Sequence, residues 1–368
     1  MKGLYIHIPF CVKKCGYCDF YSLPVRSNAL ESYVAAVLKE AGIYHGLSFR
    51  TLYLGGGTPS LLGSTHLRNL IDGIRKSLDI SELMEATIEV NPESATPGFL
   101  QAVKEAGIDR VSIGVQSLSD YELRAAGRIH HAAQAVAAIT IAKKFSFKSI
   151  SADLIIGLPG QTWSTLRNSL EMLNSLNIQH LSVYCLSLEE GTPLAESPPD
   201  DLVSDDEQAE LYEKTREFLS GCGFNHYEIS NFARQGYECQ HNLNYWRGGE
   251  YLGLGPSAAS HLGDKRFKNR ADLDAYLAGP TGQTEYVEEL DRKHKAAEEA
   301  MLRLRLLEEG IEPGELAARF GPDNVAALTG QFDAMVREGL LIRENSRYRL
   351  HPSRVLTSNP IFARVLST

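Results

Sequence analysis

Three cysteines stand within eight residues near the start of the chain, at Cys11, Cys15 and Cys18. Their CxxxCxxC spacing brings three soft thiolates within reach of one metal centre. A structural zinc site usually has four ligands, supplied as CxxC pairs or together with histidine. An iron–sulfur cubane held by three cysteines instead leaves one iron open to an external ligand. The spacing therefore favours an iron–sulfur cluster, with zinc as the alternative.

The composition of the 368-residue chain predicts how these thiols are used. Hydrophobic residues make up 43% and charged residues 23%, and no apolar run reaches the roughly 18 residues of a spanning helix. The first residues, MKGLYIHIPF, lack the long apolar region and cleavage site of a secretory signal. We therefore expect a cytoplasmic protein without a membrane span, whose thiols stay reduced and bind metal. The formal charge of -9 argues against nucleic acid as a partner.

The elements that must position the thiols alternate between β-rich runs and amphipathic segments. The runs lie at 4–8, 51–55, 86–90, 110–114, 149–155 and 180–186, with segments of helical length between them. Six βα units in series predict an α/β fold with a parallel sheet, open or curled into a partial (β/α)6 barrel. Chemistry in such folds gathers at the carboxyl ends of the strands. The thiols follow the first run, and the next four runs end in or near Gly56, Gly57, Thr58, Glu89, Gln116 and Asp153.

The character of the sequence changes twice after the sixth run. Residues 222–263 are dense in glycine, asparagine, histidine and aromatic residues, which predicts loops and short strands at a functional surface. From about Lys293 the spacing is helical and ends in a hairpin-like stretch, which predicts a small winged-helix-like domain. We divide the chain into a partial barrel over 1–222, a loop and strand extension over 223–290 and a C-terminal helical domain over 291–368. Because the last domain has no basic recognition helix, we expect it to be a lid or a partner surface.

A second candidate site is the sequence HNLNYW at 241–246. His241 could bind a heme iron, and Tyr245 and Trp246 offer flat apolar faces to a macrocycle. The alternative is a histidine and asparagine pair that satisfies loop backbone beside a buried aromatic cluster. Cys239 is a further candidate ligand. The residues alone leave these interpretations open.

The cysteine motif, with an aromatic residue before its last cysteine, resembles the signature of the radical S-adenosylmethionine (SAM) superfamily. The resemblance implies a 4Fe-4S cluster on the three thiols, whose open iron binds the amine and carboxylate of SAM. An electron donor would reduce the cluster, and the electron could cleave the sulfonium to a 5′-deoxyadenosyl radical. By the same resemblance, cofactor contacts are implied at Tyr5, Phe20, Gly56, Gly57, Thr58, Glu89, Gln116, Arg128 and Asp153.

Within the superfamily, these residues resemble the coproporphyrinogen-oxidase-like branch, and the HNxxYW motif resembles the signature of the heme chaperones in that branch. This implies a protein that binds heme and delivers it to apo-hemoproteins such as respiratory-chain enzymes, as a monomer or a cluster-dependent dimer. The alternative is an oxygen-independent coproporphyrinogen III oxidase. That enzyme has a further cysteine two residues after the third, where this chain has Phe20, and a long extension before the cluster. Both departures argue against oxidase activity, whereas SAM cleavage stays open.

Overall fold

The computed structural model describes residues 1–26 and 29–367. The strands are β1 Lys2–Ile8, β2 Phe10–Cys11, β3 Leu23–Pro24, β4 Thr51–Gly56, β5 Glu85–Val90, β6 Arg110–Gln116, β7 Ser149–Ile156, β8 His180–Cys185, β9 Asn225–Glu228, β10 Asn231–Ala233, β11 Glu250–Leu254, β12 Ala259–Leu262, β13 Lys265–Asn269, β14 Thr284–Glu289, β15 Leu341–Glu344 and β16 Arg347–Leu350. The α-helices are α1 Ala29–Ile43, α2 Gly63–Ser77, α3 Pro97–Glu105, α4 Asp120–Ala125, α5 Ala132–Lys143, α6 Trp163–Ser175, α7 Pro193–Glu196, α8 Asp205–Gly221, α9 Gln240–Trp246, α10 Leu273–Ala278, α11 Arg292–Arg303, α12 Pro313–Phe320, α13 Pro322–Arg337 and α14 Asn359–Leu366. Every helix in these described ranges is too short or too polar to span a bilayer.

Six strands run parallel and pair in chain order, from β1 through β4, β5, β6 and β7 to β8. They are buried along nearly their whole length, as expected for a parallel sheet covered on both faces. Each lies within two residues of a predicted run, so the predicted α/β class is confirmed. A further parallel strand, β11, pairs with β1. Antiparallel strands extend both edges of the sheet, which has twelve strands among the described residues. The six predicted strands are therefore part of a larger mixed sheet, and its curvature into a partial barrel stays a prediction.

The segment 223–290 supplies β9 to β14 to this same sheet. The prediction of loops and short strands for residues 222–263 is incomplete there, because HNLNYW lies in helix α9. This helix starts where the buried carboxylate of Glu85, at the beginning of β5, accepts hydrogen bonds from the backbone amides of Gln240 and His241, both at 3.1 Å. A carboxylate satisfies such unpaired amides and the positive end of the helix dipole. Since α9 has only seven residues and its cap comes from a distant strand, its spacing gives no periodic signal.

The C-terminal part has its own hydrophobic core, which includes Leu304, Phe332 and Tyr348. Its elements follow the predicted order of three helices, α11 to α13, and the hairpin β15–β16. Helix α14 comes after the hairpin and packs against α11. The resemblance of this unit to a winged helix stays a prediction.

Glu40, on α1, forms buried hydrogen bonds with three residues of the strand extension. Its buried carboxylate accepts hydrogen bonds from the Gly255 amide at 2.9 Å, the Asn269 side chain at 2.6 Å and the Tyr276 hydroxyl. Burial raises the pKa of Glu40, and these three donors oppose that rise. One side chain therefore satisfies three groups beyond residue 250 that would otherwise be buried without a partner.

We predict that Glu40→Ala lowers the free energy of unfolding by about 3 kcal/mol, because three buried donors lose their acceptor. Chemical denaturation of the full chain, followed by circular dichroism, measures the change. Lys39→Ala, at the neighbouring exposed position, is the matched control and should change stability by less than about 0.5 kcal/mol. Equal effects of the two substitutions would contradict the role of Glu40.

Candidate functional site

The cysteine loop is built against the glycine loop that follows β4. The Gly57 amide donates to the Ile8 carbonyl at 2.8 Å, and the Thr58 amide donates to the Phe10 carbonyl at 2.7 Å. A Cβ atom at Gly57 would lie 2.6 Å from the Phe10 carbonyl oxygen, so only glycine fits there. The Thr58 hydroxyl also lies 3.5 Å from Cys11 Sγ. The two loops therefore hold each other in one position at the carboxyl ends of β1 and β4.

A cavity of about 340 Å³ opens at these strand ends. Eleven of the residues predicted to contact the cofactors line it: Cys11, Cys15, Cys18, Phe20, Gly56, Gly57, Thr58, Glu89, Gln116, Arg128 and Asp153. Tyr5 lies deeper, where its hydroxyl is 3.0 Å from His7 Nδ1. We call this cavity the cysteine pocket. Residues up to 142 positions apart in the chain, from Cys11 to Asp153, therefore line one cavity. This is expected for side chains near the carboxyl ends of parallel strands.

The arrangement of the thiols in the cysteine pocket is compatible with a cluster. Within residues 1–26 and 29–367, no three histidine, cysteine or acidic side chains converge closely enough to hold one metal ion. In a cubane, each cysteine binds a different iron, so its thiolates need not meet at one point. Burial raises the pKa of the Cys18 thiol, which a bound metal would counteract by stabilising the thiolate.

Arg128 provides the positive charge beside the thiols. Its guanidinium donates to Cys15 Sγ at 3.4 Å, to Asn91 Oδ1 at 3.0 Å and to the Gly114 carbonyl at 3.0 Å. These bonds fix the guanidinium in one orientation between two strand ends. A cation held at this place stabilises thiolates and the extra negative charge of a reduced cluster.

Two half-buried carboxylates, Glu89 and Asp153, also line the cysteine pocket. Glu89 accepts hydrogen bonds from the Tyr53 hydroxyl at 2.8 Å and the Gly56 amide at 3.2 Å, and Asp153 accepts one from the Ser112 hydroxyl at 3.0 Å. Burial, aided by the nearby charge of Asp153, raises the pKa of Glu89 to about 7. Burial also raises the pKa of Asp153. Two acids in one low-dielectric pocket favour a cationic ligand, such as a sulfonium or an ammonium group.

Gln116 enters the cysteine pocket through an irregular strand end. The pairing of β6 with β7 shifts register between Ile113 and Gln116, and Gln116 has a φ of 64°. This left-handed conformation is uncommon for a residue other than glycine and is typical of functional positions. The irregularity allows Gln116 to line the cysteine pocket.

The HNLNYW residues lie near the amino ends of the parallel strands, whereas the cysteine pocket lies at their carboxyl ends. His241 is 1% exposed, and its ring nitrogens lie 2.8 Å from the Thr51 hydroxyl and 2.8 Å from the Tyr245 hydroxyl. Because Thr51 begins β4 and Gly56 ends it, His241 and the cysteine pocket are at opposite ends of the same strand. Burial lowers the pKa of His241 to about 3, so its ring is neutral. The structure therefore does not bring His241 and Tyr245 together with the thiols.

Trp246 completes the motif on the side of the C-terminal unit. The guanidinium of Arg305 lies 4.4 Å from the centre of its indole ring, a cation–π contact. Arg247, the next residue, forms an ion pair with Glu309. Helix α9 thus joins the parallel sheet to the C-terminal unit, and the aromatic rings of its motif are largely used in packing.

The sequence analysis missed several residues that line the cysteine pocket. Asn91 follows β5 and orients Arg128, while Tyr184 and Cys185 close β8. All three occupy strand ends, so the rule that identified Glu89 could have found them. They were missed because asparagine, tyrosine and a lone cysteine carry no motif of their own.

Residues 5–173 match the radical SAM superfamily, and residues 290–353 match the HemN C-terminal domain. The coproporphyrinogen III oxidase HemN from Escherichia coli, described as a radical SAM enzyme, superposes with a TM-score of 0.86 over 100% of this chain and 90% of that chain. At 24% identity this likeness shows the fold. The fold is that of a radical SAM protein.

Relatives of higher identity define the group within the superfamily. The heme chaperone HemW of Lactococcus lactis is 32% identical, covering 99% of this chain and 97% of its own length. HemW of Bacillus subtilis is 33% identical, covering 100% and 99%. HemW of Escherichia coli is 39% identical over 70% of this chain and 69% of its own. The chain belongs to the HemW family.

We predict that Arg128→Met lowers the midpoint potential of the reconstituted cluster, because a cation that favours the reduced state is lost. A lost interaction of about 1.4 kcal/mol corresponds to roughly 59 mV for one electron. A redox titration monitored by electron paramagnetic resonance measures the shift. Arg124→Met, at an exposed position on α4, should leave the potential unchanged. An unchanged potential in Arg128→Met would contradict this role.

We also predict that the affinity for SAM rises with pH through about 7, because Glu89 must lose its proton to attract a cation. Between pH 6 and 8 the ionised fraction of a group with this pKa rises roughly tenfold. Calorimetric titration of reconstituted protein measures the affinity. Glu89→Gln should remove this part of the pH dependence, and identical profiles of variant and wild type would count against it.

Proposed function

We propose that this protein is a heme chaperone, which binds heme and delivers it to apo-hemoproteins such as respiratory-chain enzymes. The observation that carries the proposal is the likeness to HemW proteins over almost the whole chain, from the cysteine loop through HNLNYW to the C-terminal unit. The exposed Phe20 at the position of a fourth cysteine in the oxidases also supports it. We place its work in the cytoplasm.

The cofactors of the superfamily fit the cysteine pocket. Cys11, Cys15 and Cys18 would hold the 4Fe-4S cluster, and the glycine loop, Gln116 and the carboxylates of Glu89 and Asp153 would hold SAM. When bound and reduced, the cluster would supply one electron for chemistry at the sulfonium of SAM. The chain itself supplies the cation of Arg128, which three hydrogen bonds orient beside the thiols. We propose that the cluster and SAM control heme transfer, with an electron donor setting the state of the cluster and with dimer formation dependent on it.

The second candidate function is the oxidation of coproporphyrinogen III. The observation in its favour is the fold shared with the HemN oxidase. Against it stands Phe20, which occupies the position where the oxidase has a further cysteine. The two functions differ in their products, since only the oxidase releases carbon dioxide and consumes SAM in doing so.

His241 as the heme ligand stays a prediction. Each ring nitrogen is already engaged, with Thr51 and with Tyr245. An iron could reach the ring only after one of these hydrogen bonds breaks and the neighbouring part of α9 moves. A variant that lacks the Tyr245 hydroxyl should therefore bind heme more tightly if His241 is the ligand.

We predict that the anaerobically reconstituted protein takes up one heme per chain and forms no decarboxylated product from coproporphyrinogen III. Absorption spectroscopy follows the heme, and chromatography follows porphyrins, methionine and 5′-deoxyadenosine in the same sample. His241→Ala and Tyr245→Phe identify the ligand, with circular dichroism as a check on folding. A vinyl-bearing product formed together with 5′-deoxyadenosine would instead establish the oxidase.

A further inference from the structure

The rim of the cysteine pocket exposes large apolar side chains. Phe20 is 63% exposed, Tyr184 45% and Ile129 42%, and all three line the same cavity. They come from the cysteine loop, the end of β8 and the segment after α4, so three separate parts of the chain converge on one opening. A concentration of exposed apolar groups around a cavity marks a binding surface for an apolar ligand.

Two lysines stand on the same rim. Lys13 and Lys14 lie between the first two cysteines, are exposed, and also line the cysteine pocket. Heme has a flat apolar ring and two propionate carboxylates at one edge. The rim therefore matches heme in both properties, with aromatic and aliphatic faces for the ring and two cations for the two propionates.

Acidic side chains on the rim restrict the orientation of such a ligand. Asp19 and Glu189 also line the opening, and the Ser187 hydroxyl holds the Glu189 carboxylate at 2.6 Å. Propionates near these groups would be repelled, which leaves the lysines as their place. The cavity below, at about 340 Å³, is within the range of pockets for single small ligands, and the proposed SAM and cluster would take up this space. Heme would therefore cover the pocket rather than enter it.

We propose that heme docks on this rim, with its ring against Phe20, Ile129 and Tyr184 and its propionates at Lys13 and Lys14, and not at the buried His241. The proposal rests on the proposed function and gives that function a location. Heme on the rim closes the cysteine pocket, so cluster, SAM and heme share one end of the sheet. In this arrangement His241 is a positioning residue: its hydrogen bonds to Thr51 and Tyr245 hold α9 against the strands.

The test is a heme titration of the full, cluster-loaded chain with SAM present, followed by absorption. The variant is Lys13→Glu/Lys14→Glu, and the control is Lys143→Glu/Lys144→Glu, an equally charged exposed pair at the end of α5. Iron and sulfide content show whether the cluster is intact. We expect the dissociation constant for heme to rise roughly tenfold or more in the variant and to stay unchanged in the control.

A second probe separates the propionates from the ring. Heme dimethyl ester lacks the two negative charges, so its affinity should be the same in wild type and in Lys13→Glu/Lys14→Glu. Ile129→Asp should weaken binding of heme and of the ester alike, because it places a charge against the ring. This substitution is at an exposed position, so the fold should be retained.

The outcomes distinguish the location from the function. Heme binding that is normal in Lys13→Glu/Lys14→Glu and in Ile129→Asp, but lost in a folded His241→Ala, overturns the rim site and leaves the chaperone function standing. Wild-type protein that takes up no heme overturns the function itself. Selective weakening by the rim variants, with uptake retained in His241→Ala, establishes the proposal.

Discussion

The parallel pairing of β1 with β4, which places Ile8 opposite Gly56, is the constraint on which the cysteine pocket depends. This register brings the loop that carries the thiols beside the glycine loop, where backbone hydrogen bonds join them. The approach is so close that a single Cβ atom at Gly57 would separate the loops. The position of the thiols is thus set by backbone geometry, and the side chains then determine the chemistry.

Charge within the cysteine pocket is divided between two walls. Arg128 stands beside Cys15, whereas Glu89 on β5 and Asp153 on β7 line the cavity. An anionic cluster and a cationic sulfonium ligand are complementary to this division. Because all three charged groups are half-buried, each loses part of its hydration, and the hydrogen bonds to Asn91, Tyr53 and Ser112 provide part of the compensation.

The carboxyl and amino ends of the parallel strands differ in what surrounds them. The carboxyl end carries an open pocket with an apolar and basic rim, while the amino end is closed by α9 and by the contacts of Trp246 with the C-terminal unit. The HNLNYW motif, which suggests a heme ligand in the sequence, is therefore packed between the parallel sheet and the C-terminal unit. The cysteine pocket and the contacts of α9 with the C-terminal unit therefore lie at opposite ends of the parallel strands.

The sequence by itself determined the α/β class, the six parallel strands and eleven of the residues that line the cysteine pocket. It could do so because strand runs have a local signal, and because the carboxyl ends of parallel strands always meet at one edge. It could not place α9, whose cap at Glu85 is more than 150 residues away, nor show that His241 is buried with both nitrogens bonded. Only the tertiary structure decided these points and the meeting of Phe20, Ile129 and Tyr184 on one rim, since burial and distant contacts depend on how the whole chain packs.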